Sequence, residues 1–238
     1  MVEQIVNSFY RLFKPCKLKK SIFLLICFYC VWTSAFGQKK NQYIKLETPQ
    51  GWCIIKLYNE TPKHRDNFIK LVKRRYFDTT TFNRILKNFV IQGGDPDSLY
   101  EKGRKLKPEQ QWLAAEFVPD LYHRRGVVAM GRDDNPTEAS FTTQFYIVDG
   151  KTSTNEQLDT IEKRYKVKFT EEQRNTYKTI GGTPFLDQHY TIFGEIVKGI
   201  ELIDQITALK VDKAGNPSTT VWMKLTLLTA KEAEKALK

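Results

Sequence analysis

Cysteine and histidine are scarce in this 238-residue chain, and the scarcity narrows its chemistry. Three of the four cysteines (Cys16, Cys27 and Cys30) fall in the first 30 residues, leaving Cys53 alone in the remainder. One thiol forms no intramolecular disulfide. Between Trp52 and Ile54-Ile55, Cys53 reads as a buried strand residue and not as a nucleophile. His64, His123 and His189 lie far apart, and no Cys/His spacing suits zinc. No phosphate loop, metal cluster or nucleophile–base pair emerges either, so ordinary hydrolytic or transfer chemistry lacks a candidate. Charge of one sign is not clustered. Of the net +11, Arg11, Lys14, Lys17, Lys19 and Lys20 against Glu3 supply +4. The other +7 is scattered among acids, which argues against a nucleic-acid partner.

A membrane-length apolar run is missing too. Residues 21–32, "SIFLLICFYCVW", are apolar over about a dozen positions, short for a bilayer but suited to a signal-peptide core. Basic residues precede them, and small Ala35 and Gly37 follow at the alternating places a signal peptidase selects. Cleavage after Gly37 is expected, with residues 38–238 as the mature domain. The alternative is an uncleaved leader, which would be the chain's one tie to a membrane. A lipid-modified Cys30 is disfavoured by bulky Phe28 and Tyr29 before it. Secretion follows from this reading, and a bacterial periplasm is the expected compartment.

Beyond the leader, short strands dominate. "YIKLE" and "WCIIKLY" flank Pro49-Gln50-Gly51 as a hairpin. Thr61-Pro62 opens a helix in which Phe68, Leu71 and Val72 form an apolar stripe beside a solvated basic face. "GVVAM", "QFYIV" and "IFGEIV" read as further strands, residues 200–208 as a second amphipathic helix, residues 221–228 as a last strand, and residues 229–238 as a helical tail. Residues 97–111 are polar and irregular. This order suggests a mainly β fold, a closed antiparallel barrel capped by two helices. Residues 151–182 interrupt it with two capping-box patterns, Thr154-x-x-Gln157 and Thr170-x-x-Gln173. They read as an inserted helical hairpin, either a decoration over its own small core or a docking element.

One stretch stands out, residues 82–96, "FNRILKNFVIQGGDP". Arg84 and Gln92 sit among residues fit for buried strands, where a polar group is costly unless something uses it. Period two places Val90 with Gln92 on one strand face, and Gln144 with Tyr146 on another. Phe89 does not follow from alternation.

With "GVVAMGRDDNP", "TQFYIV" and "FLDQHYTIFGEI" in that order, this stretch resembles the cyclophilin family of peptidyl-prolyl cis–trans isomerases, over roughly residues 43–228. The resemblance implies an eight-stranded antiparallel barrel with a helix at each end, and a groove for Xaa-Pro segments on its wall. It implies Arg84 as the catalytic arginine, with Gln92 and Gln144 holding substrate and arginine. It also implies a proline pocket at Phe89, Val90, Tyr146 and Leu186. Gly131 and Arg132 then bind the residue before proline through their backbone, and Phe185 and Tyr190 stand at the rim. Val90, Arg132, Phe185 and the Phe141-Thr142-Thr143 turn depart from residues common in the family, as does Asn83. The expected partners are proline-containing segments of client proteins, and the expected state is a monomer. The expected activity is Xaa-Pro isomerisation in folding secreted or envelope proteins, a reaction for which no cofactor and no metal are expected. The alternative is a non-catalytic chaperone or interaction module using the same groove.

Overall fold

The computed structural model describes residues 41–95 and 112–238. The expected leader and the irregular segment 97–111 lie outside the described residues.

The hairpin forms as β1 (Gln42–Thr48) and β2 (Gly51–Leu57), paired from Gln42 opposite Leu57 to Thr48 opposite Gly51. Helix α1 (Pro62–Lys73) follows, then β3 (Phe82–Leu86) and β4 (Val90–Gly93). A two-strand ribbon of β5 (Trp112–Leu113) and β7 (Ser140–Phe141) brackets β6 (Val127–Met130). Then come β8 (Phe145–Val148), helices α2 (Asn155–Tyr165) and α3 (Glu171–Thr179), and β9 (Ile192–Lys198). The chain closes with α4 (Leu202–Thr207), β10 (Lys224–Leu228) and α5 (Ala230–Leu237).

Eight strands make one antiparallel sheet in the order β10-β1-β2-β9-β6-β8-β4-β3. Among the described residues, its two edges meet through the Thr81–Trp222 bridge and the bond from Phe82 N to Val221 O (2.8 Å). A fully closed barrel was one step too strong an expectation. The sheet curls until its edges touch, but β3 and β10 share no ladder. The last strand begins at Lys224, later than the apolar pattern from Val221 suggests, because residues 221–223 make this edge contact.

The curl works because each strand sorts its residues by face. Ile44, Leu46, Ile55, Leu57, Ile91, Val128, Phe145, Ile147 and Phe193 point inward into one cluster with Phe68 and Val72 of α1 and Leu202, Ile203 and Ile206 of α4. Phe68 anchors it, its ring centroid 5.1 Å from Phe77, 5.3 Å from Phe145 and 4.9 Å from Phe193. The residues between them on the strands, Val90, Val127, Ala129, Tyr146, Val148 and Ile192, form a second cluster on the outer wall. That outer cluster is where the site lies.

Cys53 faces inward and is fully buried. Burial pushes its thiol up to about 12. It is therefore expected to resist alkylation at pH 8 in the native protein and to react once unfolded, read by mass spectrometry of its peptide. Rapid native labelling would contradict this burial.

The start of α1 is capped from far away. Thr61 makes no side-chain cap; instead the Glu116 carboxylate accepts from Lys63 N (3.1 Å) and His64 N (3.0 Å). The same carboxylate meets His64 Nδ1 at 2.8 Å, and His64 Nε2 meets Ser140 Oγ at 3.0 Å. This acid–His–Ser order has the connectivity of a hydrolytic triad. Burial decides against that role. Ser140 is 1% exposed and His64 0%, so a substrate carbonyl has no approach. Burial also lowers the His64 pKa against the pull of Glu116. The trio is a clamp between the helix start and the β7 ribbon.

In α2 and α3, both capping boxes are formed, Thr154 with Gln157 and Thr170 with Gln173. Leu158, Phe169 and Tyr177 build a small core there, with Tyr122, Ile161 and Val167 against it.

Candidate active site

A β-bulge creates the site's first feature. Phe82 points into the core, and strict alternation would send Arg84 after it. The register between β3 and β4 shifts instead: Phe82 opposes Gly93, but Arg84 opposes Gln92. The extra residue, Asn83, turns Arg84 to the outer wall and returns Ile85 to the core. There Arg84 Nη1 donates to Gln92 Oε1 at 3.3 Å.

The next residues of the opening stretch each have a mechanical task. Gly93 lies so close to β3 that a Cβ would stand 2.3 Å from Thr81 O. Gly94 takes φ +95°, a left-handed conformation that favours glycine. Asp95 is 5% exposed, and its carboxylate accepts from Thr143 Oγ1 (2.5 Å) and Gln144 Nε2 (2.7 Å). The Phe141-Thr142-Thr143 turn is thereby tied to the Gly-Gly-Asp segment, and Gln144 is aimed across the wall. Asp95 was absent from the residues expected at the site. Its signal was inside the quoted motif, but its partner is 49 residues away.

Ten of the eleven expected site residues line one recess of about 150 Å³: Arg84, Phe89, Val90, Gln92, Gly131, Arg132, Gln144, Tyr146, Leu186 and Tyr190. The eleventh, Phe185, stands just outside and stacks on Phe89 at 5.7 Å, with 23° between the rings. Phe89 belongs to the turn at residues 87–89 and not to a strand, which is why alternation misses it. Asp149 N and Gly150 N both donate to Phe89 O (3.0 and 2.9 Å) and fasten that turn to the end of β8.

Arg132 is not a loose charge beside the recess. Its Nε donates to His189 O (2.7 Å), Nη1 to Asp133 O (2.7 Å) and Nη2 to Glu138 Oε1 (3.2 Å). Its guanidinium lies 4.6 Å from the centroid of Tyr190, whose ring meets Tyr146 edge-on. Fully engaged in this way, Arg132 builds the rim and contributes little free charge.

Behind the recess runs a buried polar chain that no sequence pattern announced. The Tyr146 hydroxyl lies 3.0 Å from His123 Nε2. His123 Nδ1 lies 2.7 Å from Asp187 Oδ1, which also accepts from His123 N at 2.7 Å. Asp187 Oδ2 accepts from the Tyr177 hydroxyl on α3 at 2.6 Å. With the carboxylate accepting at Nδ1, a neutral ring presents Nε2 as acceptor for the Tyr146 hydroxyl. Burial, with Tyr190 and Asp187 nearby, holds the Tyr146 pKa well above its ordinary value. Burial likewise raises Tyr177, with Asp187 adding to it. Asp187 directly follows the 3-10 turn Pro184–Leu186, so the chain positions both Leu186 and the Tyr146 ring. The helical insert is thus bonded into the back of the recess.

A family model described as cyclophilin type peptidyl-prolyl cis-trans isomerase/CLD matches residues 43–226. The chain belongs to the cyclophilin-type peptidyl-prolyl cis–trans isomerases. Among curated relatives, peptidyl-prolyl cis-trans isomerase-like 1 of Neurospora crassa is 32% identical over 180 residues, covering 75% of this chain and 88% of that protein. Among solved structures, a cyclophilin type peptidyl-prolyl cis-trans isomerase of Cryptosporidium parvum superposes with a TM-score of 0.60. It covers 80% of this chain and 99% of its own at 24% identity, so the likeness extends to the fold. The same protein was also solved in the presence of the dipeptide Ala-Pro, with a TM-score of 0.59 to this chain. As a cyclophilin, this chain is an enzyme that isomerises Xaa-Pro bonds.

Proposed function

We propose that this cyclophilin works outside the cytoplasm, in a bacterial periplasm, on proline-containing segments of folding secreted or envelope proteins, and that Arg84 is its catalytic residue. What carries the site reading is the convergence of Arg84, Gln92 and Gln144 with an apolar cup on one recess. What supports the compartment is the leader-like pattern of residues 1–37.

An Xaa-Pro bond rotates only after losing amide resonance, across a barrier of about 18–20 kcal/mol. No covalent intermediate is needed. Phe89, Val90, Tyr146 and Leu186 cup the proline ring and exclude water. Arg84 then donates to the prolyl nitrogen, drawing its lone pair out of conjugation as the bond twists. Arginine suits this role because it stays charged at physiological pH and presents its donors in a rigid fork. Gln92 keeps the fork in place. Gln144, aimed by Asp95, and the backbone of Gly131 and Arg132 hold the residue before proline. A preorganised donor in a dry recess needs no rearrangement at the moment of reaction.

The test is exchange NMR on an Ala-Pro peptide with the mature protein. Acceleration by the wild type is expected; none at saturating enzyme would remove catalysis and leave the proline-binding chaperone. For the compartment, fractionation with N-terminal mass analysis is expected to find a soluble periplasmic form beginning near Gln38. A cytoplasmic full-length chain would overturn that part.

Gly131 supplies a further check. A Cβ there would stand 2.3 Å from Gln144 Oε1, the far end of a flexible side chain. Gly131→Ala is therefore expected to push Gln144 aside and lower kcat/KM about fivefold, roughly 1 kcal/mol, with little change in the melting midpoint. Full activity in this variant would mean that Gln144 does not hold substrate.

A further inference from the structure

A second, larger cleft of about 430 Å³ lies beside the proline recess, between α2 and the segment that carries Phe185. Its walls come from the insert (Lys151, Ser153, Glu156, Thr160, Ile161) and from Thr183, Pro184 and Phe185. A single aromatic pair separates the two cavities. Phe89 lines the recess, Phe185 lines the cleft, and their rings stack at 5.7 Å. On its other side Phe185 meets Tyr165 of α2 at 6.2 Å.

The strand register gives the cleft a direction relative to the recess. Gly131 N bonds Gln144 O at the start of β8, while Val90 pairs with Val148 at its other end. Residues 149–151 then lead directly to the cleft wall. A segment whose pre-proline residue rests on Gly131 and Arg132 therefore runs along β8 and leaves over Phe89 and Phe185. We propose that this cleft is a subsite for the client chain after the proline, taking an uncharged apolar side chain two or three residues downstream. This rests on the placement of proline given above.

Reach, chemistry and an unsatisfied group agree on that occupant. Two extended residues span about 7 Å, enough to pass one stacked ring pair. Ile161, Pro184 and Phe185 supply apolar wall, and the two charges at the margin, Lys151 and Glu156, oppose each other. The Thr183 side chain, 1% exposed, borders the cleft with its hydroxyl unpartnered among the described residues. A main-chain group of an entering peptide supplies the missing partner with a small side-chain adjustment. The volume is also that of a site for small molecules or a few residues.

The experiment compares a capped Ala-Pro dipeptide with two longer peptides carrying leucine or aspartate at the second and third positions after proline. Rates come from exchange NMR, and amide shifts map contact. The cleft is filled by Thr160→Trp, at an exposed position on its α2 wall. The leucine peptide is expected to show at least fivefold higher kcat/KM than the aspartate peptide, and to shift the amides of Thr160, Ile161 and Phe185. Thr160→Trp is expected to erase that advantage and leave the dipeptide rate unchanged. Equal rates for both long peptides, or shifts confined to the proline recess, would overturn the subsite. If no peptide is accelerated, the catalytic reading fails, and the shift map decides the cleft alone: leucine-dependent shifts there support it and their absence overturns it.

Discussion

Replacing Arg84 by alanine is expected to lower kcat/KM for an Ala-Pro peptide at least tenfold, with the melting midpoint nearly unchanged. Tenfold corresponds to about 1.4 kcal/mol of transition-state stabilisation. The two effects separate because Arg84 does little for the fold. It is half-buried on the outer wall, and among the described residues Gln92 alone bonds its guanidinium. In the reaction it is asked to supply a charged donor at the prolyl nitrogen. Arg84→Lys keeps the charge but loses the fork, so it is expected to recover only a small part of the loss. Activity within twofold of wild type in Arg84→Ala would remove Arg84 from the mechanism. A collapsed midpoint would instead make it structural.

The largest effect on stability is expected at Asp187. Its carboxylate accepts from His123 N, lies against His123 Nδ1 and takes the Tyr177 hydroxyl, all in a buried setting. Asp187→Ala strands these groups at once. Three buried donors left without their acceptor, at about 1–3 kcal/mol each and with partial relaxation, cost about 3–5 kcal/mol. In a domain of this size, that is a fall of roughly 6–20 °C in melting midpoint. Tyr177→Phe removes a single bond and is expected to cost about 1–2 kcal/mol. Calorimetry on the two variants checks the ratio. Equal small shifts would mean that the chain behind the recess bears little of the fold. A residual activity defect in folded Tyr177→Phe protein, seen in kcat more than in KM, would show that the insert positions the Tyr146 ring.

Much of the architecture was legible because it is local. The hairpin at Pro49-Gln50-Gly51, the helix opening at Pro62 and both capping boxes of the insert are each specified within a few residues. The sheet faces follow from period two, which correctly separated Phe145 from Gln144 and Tyr146. The recess was legible by another route, since the resemblance carried Phe89, which no periodicity reaches. Closure was not legible, because whether two sheet edges form a ladder depends on how far the whole sheet curls. The second helix came out shorter than its apolar spacing, ending as Leu202–Thr207. There Ile200 packs on the core from the turn before it.

By itself, the sequence determined which residues could face a core, where turns must fall, and that an arginine and a glutamine sat amid strand residues. It also determined, through four motifs in order, the family. The tertiary structure decided everything that depends on partners far along the chain. The bulge at Asn83 that turns Arg84 outward exists only in the pairing of β3 with β4. Asp95 acquires its meaning from Gln144, Glu116 from His64, and Asp187 from Tyr177 on the insert. The physical reason is that a short-range pattern records backbone geometry, whereas a buried polar group is satisfied by whichever donor or acceptor the fold brings to it.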